Sequence, residues 1–244
     1  MLIFTDLDDT FLQTERKLHL RQKPSETPIN VVQEGSGVKP TFTLDHQRRF
    51  LRWLEQGNVI PVTGRDRRGF EALRLAWGTH AILNHGATLL EKTAEGWQPE
   101  QEWTERMQQE ASTYREMLET AIRLLTEHEP DASKMFHRII HEGELPICTV
   151  SKVRSLPEDA LSEALEKVRP FLEGKFYVHL NSNNLSFIPD AVRKKHAVLY
   201  LQEKLGSPLS VGIGDSHTDL EFMQVCDFWM TPQNSQIQKL LEHP

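Results

Sequence analysis

The sequence predicts an α/β fold, a doubly wound and mostly parallel sheet with an α+β block inserted into it. Three features carry that prediction. Short apolar runs alternate with amphipathic helical patterns, as buried parallel strands and their crossover helices do. Residues 87–183 break the alternation, with half-exposed strand patterns around long helical stripes. Acidic or glycine-containing tripeptides stand directly behind the apolar runs, at the strand ends where open parallel sheets bind ligands.

Leu2-Ile3-Phe4 is the first buried strand, followed at once by Asp6, Asp8 and Asp9. Residues 12–41 are polar and long; TPINVVQEGSGVKPTFTL reads as a hairpin turning at Glu34-Gly35-Ser36-Gly37 and overhanging the opening acids. TLDHQRRFLRWLEQG is a helix with Thr43 as N-cap, Phe50, Leu51 and Leu54 on one face, and Gly57 as its stop. Val59-Ile60-Pro61-Val62 is the next parallel strand. DRRGFEALRLAW (66–77) is a helix with Phe70, Leu73 and Trp77 on its stripe, and Ala81-Ile82-Leu83 is a further parallel strand. In the inserted block, residues 104–128 form one long helix, with Met107, Ala111, Tyr114, Leu118, Ile122 and Leu125 at helical spacing. A second helix, about 157–169, carries Leu161, Leu165 and Val168; FHRIIH, ICTVSKV, FYVHL and NLSFIP alternate as antiparallel strands. KKHAVLYLQEKLG (194–206) turns Ala197, Leu201 and Leu205 inward and leads to the strand Leu209–Ile213. The expected division is residues 1–86 with 184–244, and 87–183.

The 244 residues suffice for a core plus an insertion, and 38% hydrophobic with 26% charged residues is an ordinary globular balance. A net charge of -7 argues against a nucleic-acid partner, so any phosphate site must be a local positive spot. Cys148 and Cys226 lie far apart without metal-type spacing; they read as packed interior residues of a cytoplasmic protein. No apolar run approaches membrane-spanning length, and the opening residues lack the pattern of a secretory signal, so no membrane partner is expected.

Asp6 and Asp8 are two apart, so in extended chain their side chains point the same way. One carboxylate is suited to attack phosphorus; the other to protonate the leaving oxygen and later deprotonate water. A hard cation makes such a cluster tolerable. Mg2+ takes oxygen ligands, and Asp215, behind another strand, supplies one more. Thr63 offers a hydroxyl and Gly64 a close backbone N–H for phosphate oxygens, and Lys194 and Lys195 are the candidate cations for the phosphoryl charge. Asn84-His85-Gly86 lies on the same sheet edge, as a simple glycine-containing loop or as a substrate-facing one. Asp219 stands three residues after Ser216; S-H-T-D is a capping box, and metal contact by Asp219 stays open beside it. Arg138, Lys152 and Arg154 read as surface charges before they read as substrate grips.

D-x-D-x-T at 6–10, T-G-R at 63–65, a lysine opening a late helix and G-D-S-x-x-D at 214–219 resemble, in order and spacing, the four motifs of the haloacid dehalogenase (HAD) superfamily. The match covers both ends of the chain. The block between the second motif and the lysine looks like the type C2 cap of subfamily IIB, and residues 41–65 look like its sucrose-phosphate-phosphatase-like members. The resemblance implies a Rossmann-like core with a cap that closes over the active site. It implies a Mg2+-dependent phosphomonoester hydrolase that forms an aspartyl-phosphate on a sugar phosphate or similar small phosphorylated substrate. Asp6 is then the nucleophile and Asp8 the general acid/base. Asp6 and Asp215 bind Mg2+ through carboxylates, with the backbone carbonyl of Asp8 or a neighbour. Thr63 and a lysine hold phosphate. Aligning VRKKHAV (192–198) with the family's V-x-K-G-x-A makes Lys194 the motif residue and puts Lys195 at the usual glycine. Asp9 stands where many relatives have glycine, and residues 12–41 replace a short connection. A sugar-phosphate mutase or phosphotransferase on the same fold is one alternative. A non-catalytic binding protein is the other, and the presence together of Asp6, Asp8, Thr63, Lys194 and Asp215 argues against it.

Overall fold

A computed structural model of the chain describes residues 1–128, 135–153, 159–181, 184–206 and 209–242. Two units are present, Met1–Glu100 with Lys194–Pro244, and Gln101–Arg193. Both breaks fall later than the 86/87 and 183/184 expected from the change of pattern. In the first case the chain runs on into a hairpin that pairs with the strand before it; in the second, NLSFIP belongs to the sheet of the second unit.

The elements of the first unit up to the break are β1 (Leu2–Thr5), β2 (Ile29–Asn30), β3 (Phe42–Thr43), α1 (Asp45–Leu54), β4 (Asn58–Pro61), α2 (Arg67–Glu71), β5 (His80–Leu83), β6 (Thr88–Thr93) and β7 (Gly96–Pro99). The second unit holds α3 (Gln101–Glu127), β8 (Met135–Glu142), β9 (Leu145–Val153), α4 (Asp159–Leu172), β10 (Phe176–Asn181) and β11 (Asn184–Pro189). The first unit resumes with α5 (Lys194–Leu205), β12 (Ser210–Ile213), α6 (His217–Met223), β13 (Phe228–Met230) and α7 (Gln236–Glu242).

A parallel sheet in the order β13-β12-β1-β4 organises the first unit. All of β1 is buried, as its unbroken apolar run requires. Thr5 stands opposite both Ile213 and Pro61, so the three motif loops leave neighbouring strands at one level. β13 was not anticipated from sequence: Phe228 and Trp229 are exposed on this short edge strand, and no buried run announces it.

Three expectations are corrected here. Ala81-Ile82-Leu83 meets β4 through the parallel bridge Val62–Ile82, but its full pairing is antiparallel, in the sheet β5-β6-β7. Asn84, His85 and Gly86 have φ of 51°, 60° and 113°, and this left-handed run turns the chain back on itself. The helix expected over 66–77 stops at Glu71. Gln33 N–H donates to Ala72 O and Arg74 N–H to Val31 O, so residues 31–33 claim the backbone groups that further helical turns would use. Phe70, Leu73 and Trp77 are buried all the same. The N-cap of α1 is Leu44, not Thr43, and the Gln47 side chain accepts the Leu44 N–H at 2.9 Å.

Residues 12–41 do form a hairpin, with Ile29 opposite Thr43 and Asn30 opposite Phe42. Its turn carries left-handed glycines at 35 and 37, and a side chain at 37 would meet the Arg68 guanidinium, which donates to Ser36 O. Before it, Glu15–Leu20 is a 3-10 turn.

The second unit is an antiparallel sheet, β10-β11-β9-β8, with α3 and α4. The α3 stripe from Trp103 through Leu125 is buried, and Tyr114 OH donates to Pro146 O at 2.9 Å. Arg138 and Lys152 are exposed; Arg154 and the Leu161 side chain lie outside the described residues. No helix among the described residues is long and apolar enough to cross a membrane.

Phe70 is 1% exposed and packs on Trp77 and Trp97, which ties the β6–β7 hairpin into the first unit. Phe70→Ala is expected to cost about 3–5 kcal/mol in urea unfolding. A loss under roughly 1 kcal/mol would show that this cluster is not core.

Candidate active site

Asp6 leaves β1 with its N–H on Ile213 O, between β12 and β4, so its side chain sits where the sheet's neighbouring loops converge. Lys194, the first residue of α5, donates from Nζ to Asp6 Oδ1 at 2.9 Å and to Asp219 Oδ1 at 2.6 Å. Thr10 Oγ1 donates to Asp6 Oδ2 at 3.3 Å. Asp219 Oδ2 accepts from Ser216 N–H, Ser216 Oγ and Asp215 N–H, which is the capping box of α6. Gly214 is required beside it, since a Cβ there would lie 2.4 Å from that of Asp219. Asp6, Asp215 and Asp219 are buried, with one oxygen of each within 4.8 Å of the others.

These buried carboxylates share one ammonium. Burial, then Asp219, pushes Asp6 well above the usual carboxylate range. Burial, then Asp219 and Asp9, raises Asp215 to about 7. Burial works against the charge on Lys194, but Asp219 and Asp6 outweigh it and hold the ammonium protonated. The all-oxygen cluster with uncompensated negative charge fits a hard divalent cation. Asp219 Oδ2 already accepts three hydrogen bonds and its Oδ1 the lysine, whereas each Asp6 oxygen accepts one, which leaves Asp6 and Asp215 as the carboxylates with more capacity to spare.

Asp8 goes elsewhere. Its carboxylate receives a two-pronged pair from Arg65, Nη2 to Oδ1 at 2.6 Å and Nε to Oδ2 at 2.8 Å, and it stands outside the Asp6–Asp215–Asp219 group. Thr63 is buried just after β4, and its Oγ1 accepts from Arg65 N–H. Gly64 has no room for a side chain, because a Cβ there would lie 2.5 Å from the His85 ring. Asn84 N–H donates to Arg65 O and His85 N–H to Thr63 O, so the left-handed turn at 84–86 braces the T-G-R loop. Asn84 is itself buried, with Nδ2 on Thr88 Oγ1.

Asp9 has a φ of 65°, a left-handed conformation that glycine adopts most readily. Its carboxylate pairs with Lys17, and its carbonyl accepts from Arg21 Nη2 at 3.1 Å. Residues 12–41 are thereby fastened to the motif loop. Burial pushes the Cys148 and Cys226 thiols up to about 12, which leaves both inert.

The structure thus brings Asp6, Asp215, Asp219 and Lys194 together, and Lys195 lies off the cluster, half-buried. Sequence reasoning left Arg65 and Thr10 unassigned although both stand inside quoted motifs. Lys17 and Arg21 carried no signal at all, because an irregular segment has no period from which to infer a facing residue.

No protein-family model matches the chain, and no curated protein does. Solved structures do. Sucrose-phosphatase from Synechocystis, in complex with sucrose and phosphate, is similar over 99% of this chain and 86% of that one, at 14% identity and a TM-score of 0.61. IMP-nucleotidase from Plasmodium falciparum is similar over 98% of this chain and 60% of that one, at 14% identity and a TM-score of 0.61. The C-terminal domain of trehalose-6-phosphate phosphatase from C. albicans is similar over 91% of this chain and 72% of that one, at 14% identity and a TM-score of 0.52. At these identities what is shared is the fold, the one that the ordered motifs led us to expect.

Asp215 sets a pH dependence. Its folded value near 7 lies above the ordinary 3.8, so between these the folded protein holds more protons than the unfolded one. The contribution is full below the lower value and is lost as pH rises through the upper one. In chelator, wild type is therefore expected to lose thermal stability relative to Asp215→Asn from about pH 5 to about pH 8. A difference in midpoint that stays constant with pH would contradict the raised carboxyl.

Proposed function

We propose that this chain is a Mg2+-dependent phosphomonoester hydrolase of the haloacid dehalogenase superfamily, forming an aspartyl-phosphate on a sugar phosphate or similar small metabolite. One observation carries the reading: Lys194, 188 positions along the chain, reaches Asp6 inside a buried cluster of carboxylates. A nucleophile, a fixed cation and a cation-binding acid pair are what phosphoryl transfer needs. The similar solved structures, two of them named for sugar phosphates and one for IMP, support a phosphorylated metabolite. In this reading Met1–Glu100 with Lys194–Pro244 is the doubly wound core and Gln101–Arg193 the cap domain.

Asp6 Oδ attacks phosphorus while the bond from phosphorus to the leaving oxygen breaks, and Asp8 gives that oxygen a proton. Asp8 then takes a proton from water as the water attacks the acyl phosphate, which frees Asp6 and orthophosphate. Asp8 exchanges Arg65 for the substrate's bridging oxygen during turnover. Lys194, Thr63 Oγ1 and Gly64 N–H hold the non-bridging oxygens, and Lys194 answers the charge that spreads over them. Asp6, Asp215 and the backbone carbonyl of Asp8 or a neighbour would hold Mg2+, which would supply positive charge to the carboxylates and the phosphoryl oxygens. Asp219 orients Lys194 and the Asp215 loop. Asn84 braces the phosphate loop.

The test is phosphate release from a panel of sugar phosphates, with p-nitrophenyl phosphate as control. EDTA is expected to abolish release and Mg2+ to restore it. Asp6→Asn is expected to lower kcat by on the order of a thousandfold or more, since an amide cannot form the acyl phosphate. Near-full activity of Asp6→Asn, or turnover without any divalent metal, overturns the reading.

The acid role of Asp8 makes a separate prediction. Asp8→Asn is expected to lower kcat/KM, which reports the phosphoryl-transfer half, more for sugar phosphates than for p-nitrophenyl phosphate, whose leaving group departs without a proton. Equal losses on both would remove Asp8 as the general acid.

A further inference from the structure

We propose that residues 12–41 build a second ligand site in the first unit, a pocket for a small metabolite that carries a phosphate or carboxylate group. The pocket is a cavity of about 570 Å³ bounded by this segment, the start of α1, and the loop that follows β13. That volume is in the range of small-molecule sites. None of Asp6, Asp8, Asp215 and Asp219 lines it; Thr10, whose hydroxyl donates to Asp6, forms its border with the carboxylate cluster, and the proposal does not rest on the phosphatase reading.

Its charge is the first argument. Arg21, Lys23 and His46 line the cavity and no acidic residue does, in a chain where acids outnumber Lys and Arg by 35 to 28. Glu26, not itself a lining residue, holds the His46 ring at Nδ1. Asp215 and Asp9 act on the Arg21 charge, so Lys23 is the lining cation that remains to attract an anion. The second argument is an unmet donor. Arg21 Nη2 is spent on the Asp9 carbonyl, whereas Arg21 Nη1 is buried with no hydrogen-bond partner among the described residues. A buried guanidinium N–H left unpaired is unfavourable, and a phosphate or carboxylate oxygen is the acceptor that suits it best. The third is the wall. Phe11 and Phe50 stack at 5.8 Å and line the cavity with Leu20, which gives the ligand's carbon body an apolar face. The occupant is thus an organic anion, held by its head on Arg21 and by its body on the rings.

Calorimetric titration of the full chain with phenylphosphonate, a probe that cannot be hydrolysed, tests the proposal, with benzoate as the carboxylate arm. Wild type is expected to bind a second equivalent beyond the one that Thr63→Ala weakens. Arg21→Met is expected to weaken that second equivalent by about tenfold or more. Lys23→Glu, an exposed position whose reversal leaves folding intact, is expected to do the same. The tighter of the two probes names the head group. No equivalent of either probe beyond one that Thr63→Ala weakens, or an equivalent that neither Arg21→Met nor Lys23→Glu weakens, overturns the site.

Discussion

The Lys194 ammonium, set between Asp6 and Asp219, is the contact on which the rest of the first unit depends. It joins the loop behind β1, the start of α5 and the first turn of α6 in one buried ion cluster. Removing one partner of a buried cluster strands the others without water, a cost of about 3–5 kcal/mol, so the three elements have one mutual placement. The chain re-enters the first unit at this lysine, directly after Arg193. A large insertion is therefore compatible with a fixed site, because its far end is pinned by charge and not by strand pairing alone.

The same cluster explains how labour divides among the acids. Asp219 is consumed by structure, through the lysine on one oxygen and the α6 cap on the other. Asp8 is drawn out to Arg65 and keeps clear of the crowd. Asp6 and Asp215 are left buried and with excess negative charge around them; burial first, and then that charge, is why their protons are held more tightly than usual. A proton relieves that excess at low pH, and a divalent cation relieves it where protons are scarce. The strain that the carboxylates place on the fold is the same property that makes the loop cluster a cation site.

Much of this was legible in the sequence, for physical reasons that also mark the limit. Buried parallel strands must be apolar throughout, so Leu2–Phe4 and Val59–Val62 announced themselves, and the long α3 stripe did so by its period. Lys194 could be singled out from Lys195 because aligning VRKKHAV with the V-x-K-G-x-A pattern of the family that the chain resembles puts Ala197 in place. What stayed hidden was set by distant partners. The helix after Asp66 ends early because residues 31–33 capture its backbone, and β5 turns antiparallel because of a left-handed triplet that local propensity disfavours. Arg65 could be quoted as part of a motif, but its partner across the sheet edge could not be read from spacing.

Asp9 and residues 12–41 are two of the three departures from the family that the sequence resembles, and the structure makes them one feature. At a φ of 65° an aspartate is strained by about 1 kcal/mol relative to glycine, so the residue by itself is a poor choice. Its carboxylate, however, is the anchor for Lys17, and its carbonyl is the anchor for Arg21. Glycine would relieve the backbone and lose the ion pair. The segment, in turn, has no helix or long strand before residue 29 to hold it, only a 3-10 turn with no buried residues. Its attachment through two cations to the residue beside Asp8 offsets the strain and fixes where Arg21 sits. The extra segment and the missing glycine therefore require one another, and together they place a guanidinium at the border between the carboxylate cluster and the adjoining cavity.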